Sequence, residues 1–192
     1  MKNVVVIFIC VVTIMSCKYN SKLPEEIMLF QKKPIMLTKQ SELIIKGQNK
    51  VIENEIQRGL KYVIYKDSLD CTSCAISKMH FWNDFIKYAE PYNRRLKFYF
   101  IYSPLKKDYK RVEFLLKNID FDYPILLDTL DEFAKLNPHL PKNRALHAFL
   151  LDEDNNVILV GDPLYNKRIE KMFYNIVEEK LGKPNNSTTY NN

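Results

Sequence analysis

From residue 61 the chain alternates between strand-like and helix-like hydrophobic periods, and this alternation restricts it to one class of fold. Tyr62-Val63-Ile64-Tyr65 is β-branched and aromatic, which predicts a strand. Ala75, Met79, Trp82, Ile86 and Ala89 then recur at helical spacing, with Ile76 and Phe85 widening the stripe and Pro91 closing the helix. Residues 96–102 predict a second strand, Val112, Leu115, Leu116 and Ile119 a second helix, and residues 123–128 a short strand. A brief helix over 130–136 stops at Asn137-Pro138. Strands over 145–151 and 157–160 flank a turn at Asp152-Glu153-Asp154-Asn155-Asn156, and Ile169, Met172, Phe173, Ile176 and Val177 mark a last helix. The order β-α-β-α-β-α-β-β-α predicts an α/β sheet that starts parallel and ends in a hairpin under a covering helix. Trp82, Phe85, Phe98 and Tyr99 are assigned to packing.

Composition excludes several functions. The chain has 192 residues, long enough to bury a core without disulfide support. Its four glycines never cluster, so neither GxGxxG nor GxxxxGK[ST] is present. The formal charge of +6 is spread along the chain in short pairs such as Lys32-Lys33, Arg94-Arg95 and Lys106-Lys107. No basic stripe for nucleic acid is visible, whereas weak attraction to an anionic membrane surface fits the charge. Asp152 and Asp154 lack calcium-loop spacing and read as turn residues.

Residues 1–16 read as a signal peptide, with Lys2 ahead of an apolar run from Val4 to Met15. That run is shorter than the ~20 residues that span a bilayer. It ends Ile14-Met15-Ser16-Cys17, which resembles the lipobox of bacterial lipoproteins, with Met15 where a smaller residue is usual. The resemblance implies that Cys17 becomes the lipidated N-terminus, that Cys10 leaves with the signal, and that the protein sits in the cell envelope, outside the cytoplasm. Residues 17–57 are expected to form a tether and irregular extension, polar over 18–34, with short strands at Ile35-Met36-Leu37 and Leu43-Ile44-Ile45 and a short helix around Val51, Ile52 and Ile56. The folded domain is expected over 58–182, followed by a disordered tail over 183–192.

The strongest chemical signal is Cys71-Thr72-Ser73-Cys74, between the first strand and the first helix of the regular region. A helix N-terminus stabilises a thiolate, and the thiolate is the nucleophile. Two cysteines at this spacing can form a readily exchanged disulfide. Cys71 is the expected nucleophile and Cys74 the resolving thiol acting from within. Asp70 works against thiolate formation, since like charge raises a thiol pKa. A static disulfide and a pair of inert thiols are the competing readings.

A strand, then CxxC opening a helix, then β-α-β, a hairpin and a terminal helix resembles the thioredoxin-like fold, an α/β architecture with a central mixed sheet flanked by helices. The lipobox and the run from Phe149 through Val160 resemble the membrane-tethered TlpA/ResA-like thiol-disulfide oxidoreductases. The runs SLDCTSC, FDYPILLD and HAFLLDEDNNVILVGDP are similar to Bacteroidetes thioredoxin-like lipoproteins. The resemblance covers about residues 58–181. It implies exchange with protein thiols or disulfides in either direction of electron flow, with a membrane electron donor needed to recycle a reductase, and no bound cofactor or metal. Three departures stand out. Asp70 replaces the usual Trp, Ser73 the frequent Pro, and Leu146 or His147 the cis-Pro that shapes the partner groove. A trans bond is expected there. The first helix also has no acid before Asp84 to relay protons.

His147 has three readings: a buried histidine satisfied by a backbone carbonyl, an assistant to Cys71, or a metal ligand with Cys71 and Cys74. The last resembles copper chaperones of this fold, though those carry CxxxC. His80 reads as structural within its helix and His139, between two prolines, as a surface residue. Two functions remain open: a thiol-disulfide oxidoreductase, or a non-catalytic binding lipoprotein that holds a protein partner or Cu(I).

Overall fold

In the computed structural model, residues 22–37, 42–45, 48–49, 58–70 and 72–184 are described. The signal segment, Cys10, Cys17, the helix expected around Val51 and the tail from 185 lie outside them, as does Cys71. The described residues form helix α1 (Lys22–Phe30), strands β1 (Glu42–Ile45), β2 (Gln48–Asn49) and β3 (Leu60–Lys66), and helices α2 (Thr72–Ser77) and α3 (Asn83–Ala89). There follow β4 (Leu96–Tyr102), α4 (Tyr109–Asn118), β5 (Ile125–Leu127), α5 (Glu132–Leu136), β6 (Ala148–Leu151), β7 (Val157–Val160) and α6 (Lys167–Leu181). Seven strands make one sheet in the order β2-β1-β5-β4-β3-β6-β7. β3, β4 and β5 are parallel, whereas β6 joins β3 antiparallel and β7 closes the hairpin. The parallel start and hairpin finish follow the sequence expectation. No helix of the described residues is long and apolar enough to cross a membrane.

Side-chain alternation builds two cores, one on each face of the sheet. Tyr62 and Ile64 of β3, Phe98 and Phe100 of β4, and Ala148 and Leu150 of β6 point to the first face. There they meet Ile76, Met79, Trp82, Phe85, Val112, Leu116 and Phe173 from the helices. Val63, Tyr65, Ile101, Phe149 and Leu151 point to the second face, against Phe30, Ile35 and Phe133. Gly59 sets the entry to β3: a Cβ there would lie 2.3 Å from the Arg95 carbonyl oxygen, so only glycine allows this approach.

Several elements differ from expectation. The stretch expected as a polar tether contains α1, and Phe30 is buried beneath the sheet. One apolar side chain and a few polar bonds to distant loops fix it, and these leave little trace in local composition. Ile35-Met36-Leu37 is irregular rather than a strand, whereas Glu42–Ile45 is a strand as expected. The first long helix is interrupted: α2 ends at Ser77, and a 3₁₀ turn over Met79–Trp82 precedes α3. Side chains compete for the helix carbonyls at this point. Ser77 Oγ donates to the Cys74 carbonyl (3.0 Å) and His80 Nδ1–H to the Ser77 carbonyl (3.1 Å), while Lys78 N–H turns back to Ala75 (3.2 Å). His80 is therefore exposed at a break instead of sitting within a continuous helix. The strand expected from 145 starts at Ala148, because Asn143 Oδ1 accepts from Ala145 N–H and caps a 3₁₀ turn over Arg144–Leu146.

Candidate functional site

Strand β3, between β4 and β6, delivers the chain to the CxxC segment through a tight acidic turn. Asp67 Oδ1 accepts from the N–H groups of Leu69 (2.8 Å) and Asp70 (3.1 Å). Asp70 Oδ2 accepts in return from Asp67 N–H (3.2 Å). This reciprocal Asx arrangement fixes the residues just before Cys71. Cys74 lies in the first turns of α2 and is disulfide-bonded, and the other three cysteines all lie outside the described residues. Cys74 is exposed, not enclosed as a thiol acting from within would be. The helix packs through Ile76, on the opposite side of the turn, and this leaves Cys74 outward.

Beneath this turn lies the fully buried Tyr102. Burial, reinforced by the charges of Asp70 and Tyr165, holds its hydroxyl above the ordinary phenol range, so it stays protonated. Tyr65 is held protonated in the same way, by burial first and then by Asp131 and Asp67. Its hydroxyl donates to Asp131 Oδ1 (3.3 Å), which also accepts from Ser103 Oγ (2.9 Å).

The 142–147 segment forms the second wall of the site. Tyr65 N–H donates to the His147 carbonyl (2.9 Å), and Arg144 approaches Asp67 at 3.8 Å. An open cleft of about 470 Å³ runs between Lys66, Leu69 and Asp70 on one side and residues 142–145 on the other. Among the described residues, Asp70 is thus the one expected site residue that lines the cleft. The sequence reading missed Lys66, Leu69, Lys142 and Arg144. Their only signal is position: two lie just upstream of the CxxC and two just upstream of Leu146 and His147, which stand where the family carries its cis-Pro.

His147 is 5 % exposed, and its Nε2–H donates to the Pro141 carbonyl (2.8 Å). This is the first of its three readings, a buried histidine satisfied by a backbone carbonyl. The bond leaves Nδ1 as a buried nitrogen without a partner among the described residues. The ring packs on Tyr65, with centroids 5.3 Å apart, and does not line the cleft. No peptide bond of the described residues is cis, in keeping with the trans bond expected before β6. His139 is half-buried against Phe30 and not a surface residue. Its pKa is lowered by burial and by Lys33. No group of three or more His, Cys, Asp or Glu side chains among the described residues could hold a metal ion.

No family model matches the chain, and no curated protein does. Solved structures do. One is a thioredoxin-like protein determined in solution in its oxidized form, with a TM-score of 0.51 at 17 % identity over 78 % of this chain and 97 % of the other. Another is a candidate thiol:disulfide interchange protein DsbE from Chlorobium tepidum, with a TM-score of 0.50 at 13 % identity over 74 % of this chain and 99 % of the other. With the parallel β3-β4 pair, the antiparallel β6-β7 hairpin and α6 over the first face, these likenesses show that the chain has the thioredoxin-like α/β fold.

Proposed function

We propose that the chain is a lipid-anchored, extracytoplasmic thiol-disulfide oxidoreductase that uses Cys71 and Cys74. The observation that carries this reading is the disulfide at exposed Cys74, on the helix that follows interior strand β3 of a thioredoxin-like sheet. Cys71 is the partner the spacing favours. In the reduced protein the Cys71 thiolate attacks a partner disulfide. A Cys71–partner S–S bond forms, the partner's own S–S bond breaks, and the leaving thiolate takes a proton. The Cys74 thiolate then attacks Cys71 Sγ and frees the second partner thiol, which is also protonated. The partner gains two electrons and two protons, and the Cys71–Cys74 disulfide is the oxidised product. A membrane dithiol donor reverses that oxidation for the next turnover. Asp70 opposes thiolate formation at Cys71, since like charge raises a thiol pKa.

Residues 1–16 act as the signal and Cys17 as the lipidated anchor in this reading, with acyl chains contributing ~0.8 kcal/mol per buried CH₂. Fatty-acid labelling is expected to be lost in Cys17→Ala. The redox reading is tested by titrating the Cys74 disulfide against a thiol buffer. A potential well below about −300 mV would identify a static structural bond and remove the catalytic role. Disulfide reduction in an insulin assay is expected to vanish in Cys71→Ser. The binding alternative gains from one feature, the buried Nδ1 of His147, which has no partner among the described residues. Copper(I) binding that is lost in His147→Ala would favour it.

A further inference from the structure

The cleft beside the CxxC is lined by three cations, Lys66, Lys142 and Arg144, and one carboxylate, Asp70. That carboxylate is already engaged by a backbone N–H of its own turn. Arg144 reaches Asp67 only at 3.8 Å, with its side chain 40 % exposed, and Lys66 also faces Asp162, whose pKa it helps to lower against burial. Lys142 is exposed and makes no hydrogen bond or ion pair with the described residues. Leu69 stands at the rim, 75 % exposed, two residues before Cys71. The far wall is fastened from behind, where Asn143 N–H donates to Glu26 Oε1 of α1 (3.1 Å).

From this arrangement we infer that the cleft docks an acidic segment flanking the disulfide of a partner protein, with Leu69 giving an apolar contact. The inference rests on the proposed function and names the partner chemistry that the site selects. An extended strand of chain fits an open cleft of about 470 Å³ between two loops. The 142–145 wall carries two positive charges, Lys142 and Arg144, against a first wall on which Lys66 and Asp70 balance, and this excess attracts carboxylates during encounter and repels a basic segment, which is a source of specificity and association rate. One oxygen of each of Asp67 and Asp70 accepts backbone N–H groups of their own turn, which draws these half-buried carboxylates toward the turn.

The test uses the full-length chain in detergent, reduced and freed of reductant, and synthetic disulfide peptides whose flanking residues are glutamate, glutamine or lysine. Stopped-flow exchange is expected to run about tenfold faster for the glutamate than for the lysine peptide at low salt, and the ratio is expected to fall towards one at high salt. Lys142→Glu, in an exposed loop, is expected to collapse the same ratio. A second readout does not depend on redox chemistry: fluorescence anisotropy of a serine-for-cysteine glutamate peptide on the Cys71→Ser/Cys74→Ser chain. Exchange at equal rates for all peptides, without salt-sensitive binding, overturns the acidic-partner inference and leaves the redox reading intact. Salt-sensitive binding of the glutamate peptide without any exchange supports the docking inference and overturns the redox reading. Absence of both overturns both.

Discussion

On the first face of the sheet, helices that directly follow the strands supply the cover: α2, α3 and α4 come between β3 and β5, and α6 follows β7. On the second face, cover comes from five-residue α5 and from α1, joined to the sheet by contacts across more than 100 residues of chain. The first core is dense in aromatics. Phe173 lies edge-on to Tyr62 and Phe85, at 5.5 and 5.6 Å, and Trp82 packs on Phe98 and Phe100. The second has fewer ring contacts among the described residues, with Phe30 edge-on to Phe149 at 5.0 Å and Tyr65 against Phe133 at 4.9 Å, and depends more on polar clamps. Asn137 accepts from Met36 N–H and donates to the carbonyls of Met36 and Phe133, each at 2.8 Å. Ile35 N–H donates to the Asn155 carbonyl (2.9 Å). A face packed by neighbours in sequence is robust; a face closed by a distant segment depends on a few bonds. The cleft belongs to the second arrangement, since α1 holds its far wall through Glu26.

The largest expected effect breaks the first face. Phe173→Ala removes a fully buried ring from the aromatic cluster and is expected to cost ~4 kcal/mol in urea unfolding. Phe30→Ala, equally buried, is expected to cost only ~2.5 kcal/mol, because a nine-residue helix can shift to fill the void. Equal losses for the two would abolish the contrast between faces. Asn137→Ala should cost ~2 kcal/mol and raise proteolysis within α1, since it orphans backbone groups on both sides of the seam. Unchanged proteolysis would show that the clamp does not hold the second face.

A smaller effect sharpens the first face. The Tyr62 hydroxyl donates to the Gly161 carbonyl at 2.5 Å inside the core, so Tyr62→Phe is expected to lose ~1 kcal/mol with little change in m-value. The smallest effect belongs to the second face and to pH. Burial and Lys33 hold His139 below its ordinary imidazole value. As pH falls through ~6.5 the unfolded chain takes up this proton first, so the stability His139 contributes is present above that pH and is lost towards the lower folded value. Unfolding followed between about pH 7.5 and 5.5 should show this decline in the parent chain, and His139→Gln should flatten it. The same slope in both would remove His139 as its source.

Both the legible and the illegible parts of the fold have physical causes. Tyr62 to Tyr65, Leu96 to Tyr102 and the helical stripe from Ala75 to Ala89 alternate with the period of their own element, so local sequence marked the strands and the first-face helices. Phe30 gave no such signal, because a single buried ring in KLPEEIMLF sets no stripe. The helix break at Lys78 escaped because no proline or glycine marks it; two side chains capture carbonyls there instead. At the site, spacing singled out Cys71 and Cys74, and Asp70 by adjacency. The exposure of Cys74 and the carbonyl partner of His147 depend on what packs beside them.

The sequence alone determined the element order from residue 61, the parallel start and hairpin finish of the sheet, and the position of the CxxC after the first strand of that region, because hydrophobic period and turn chemistry are local properties. Tertiary structure decided that α1 closes the second face, that His147 is turned to Pro141, and that Lys66, Lys142 and Arg144 share one cleft with Asp70. Those outcomes come from contacts between segments far apart in the chain, whose distances and burial no local pattern encodes.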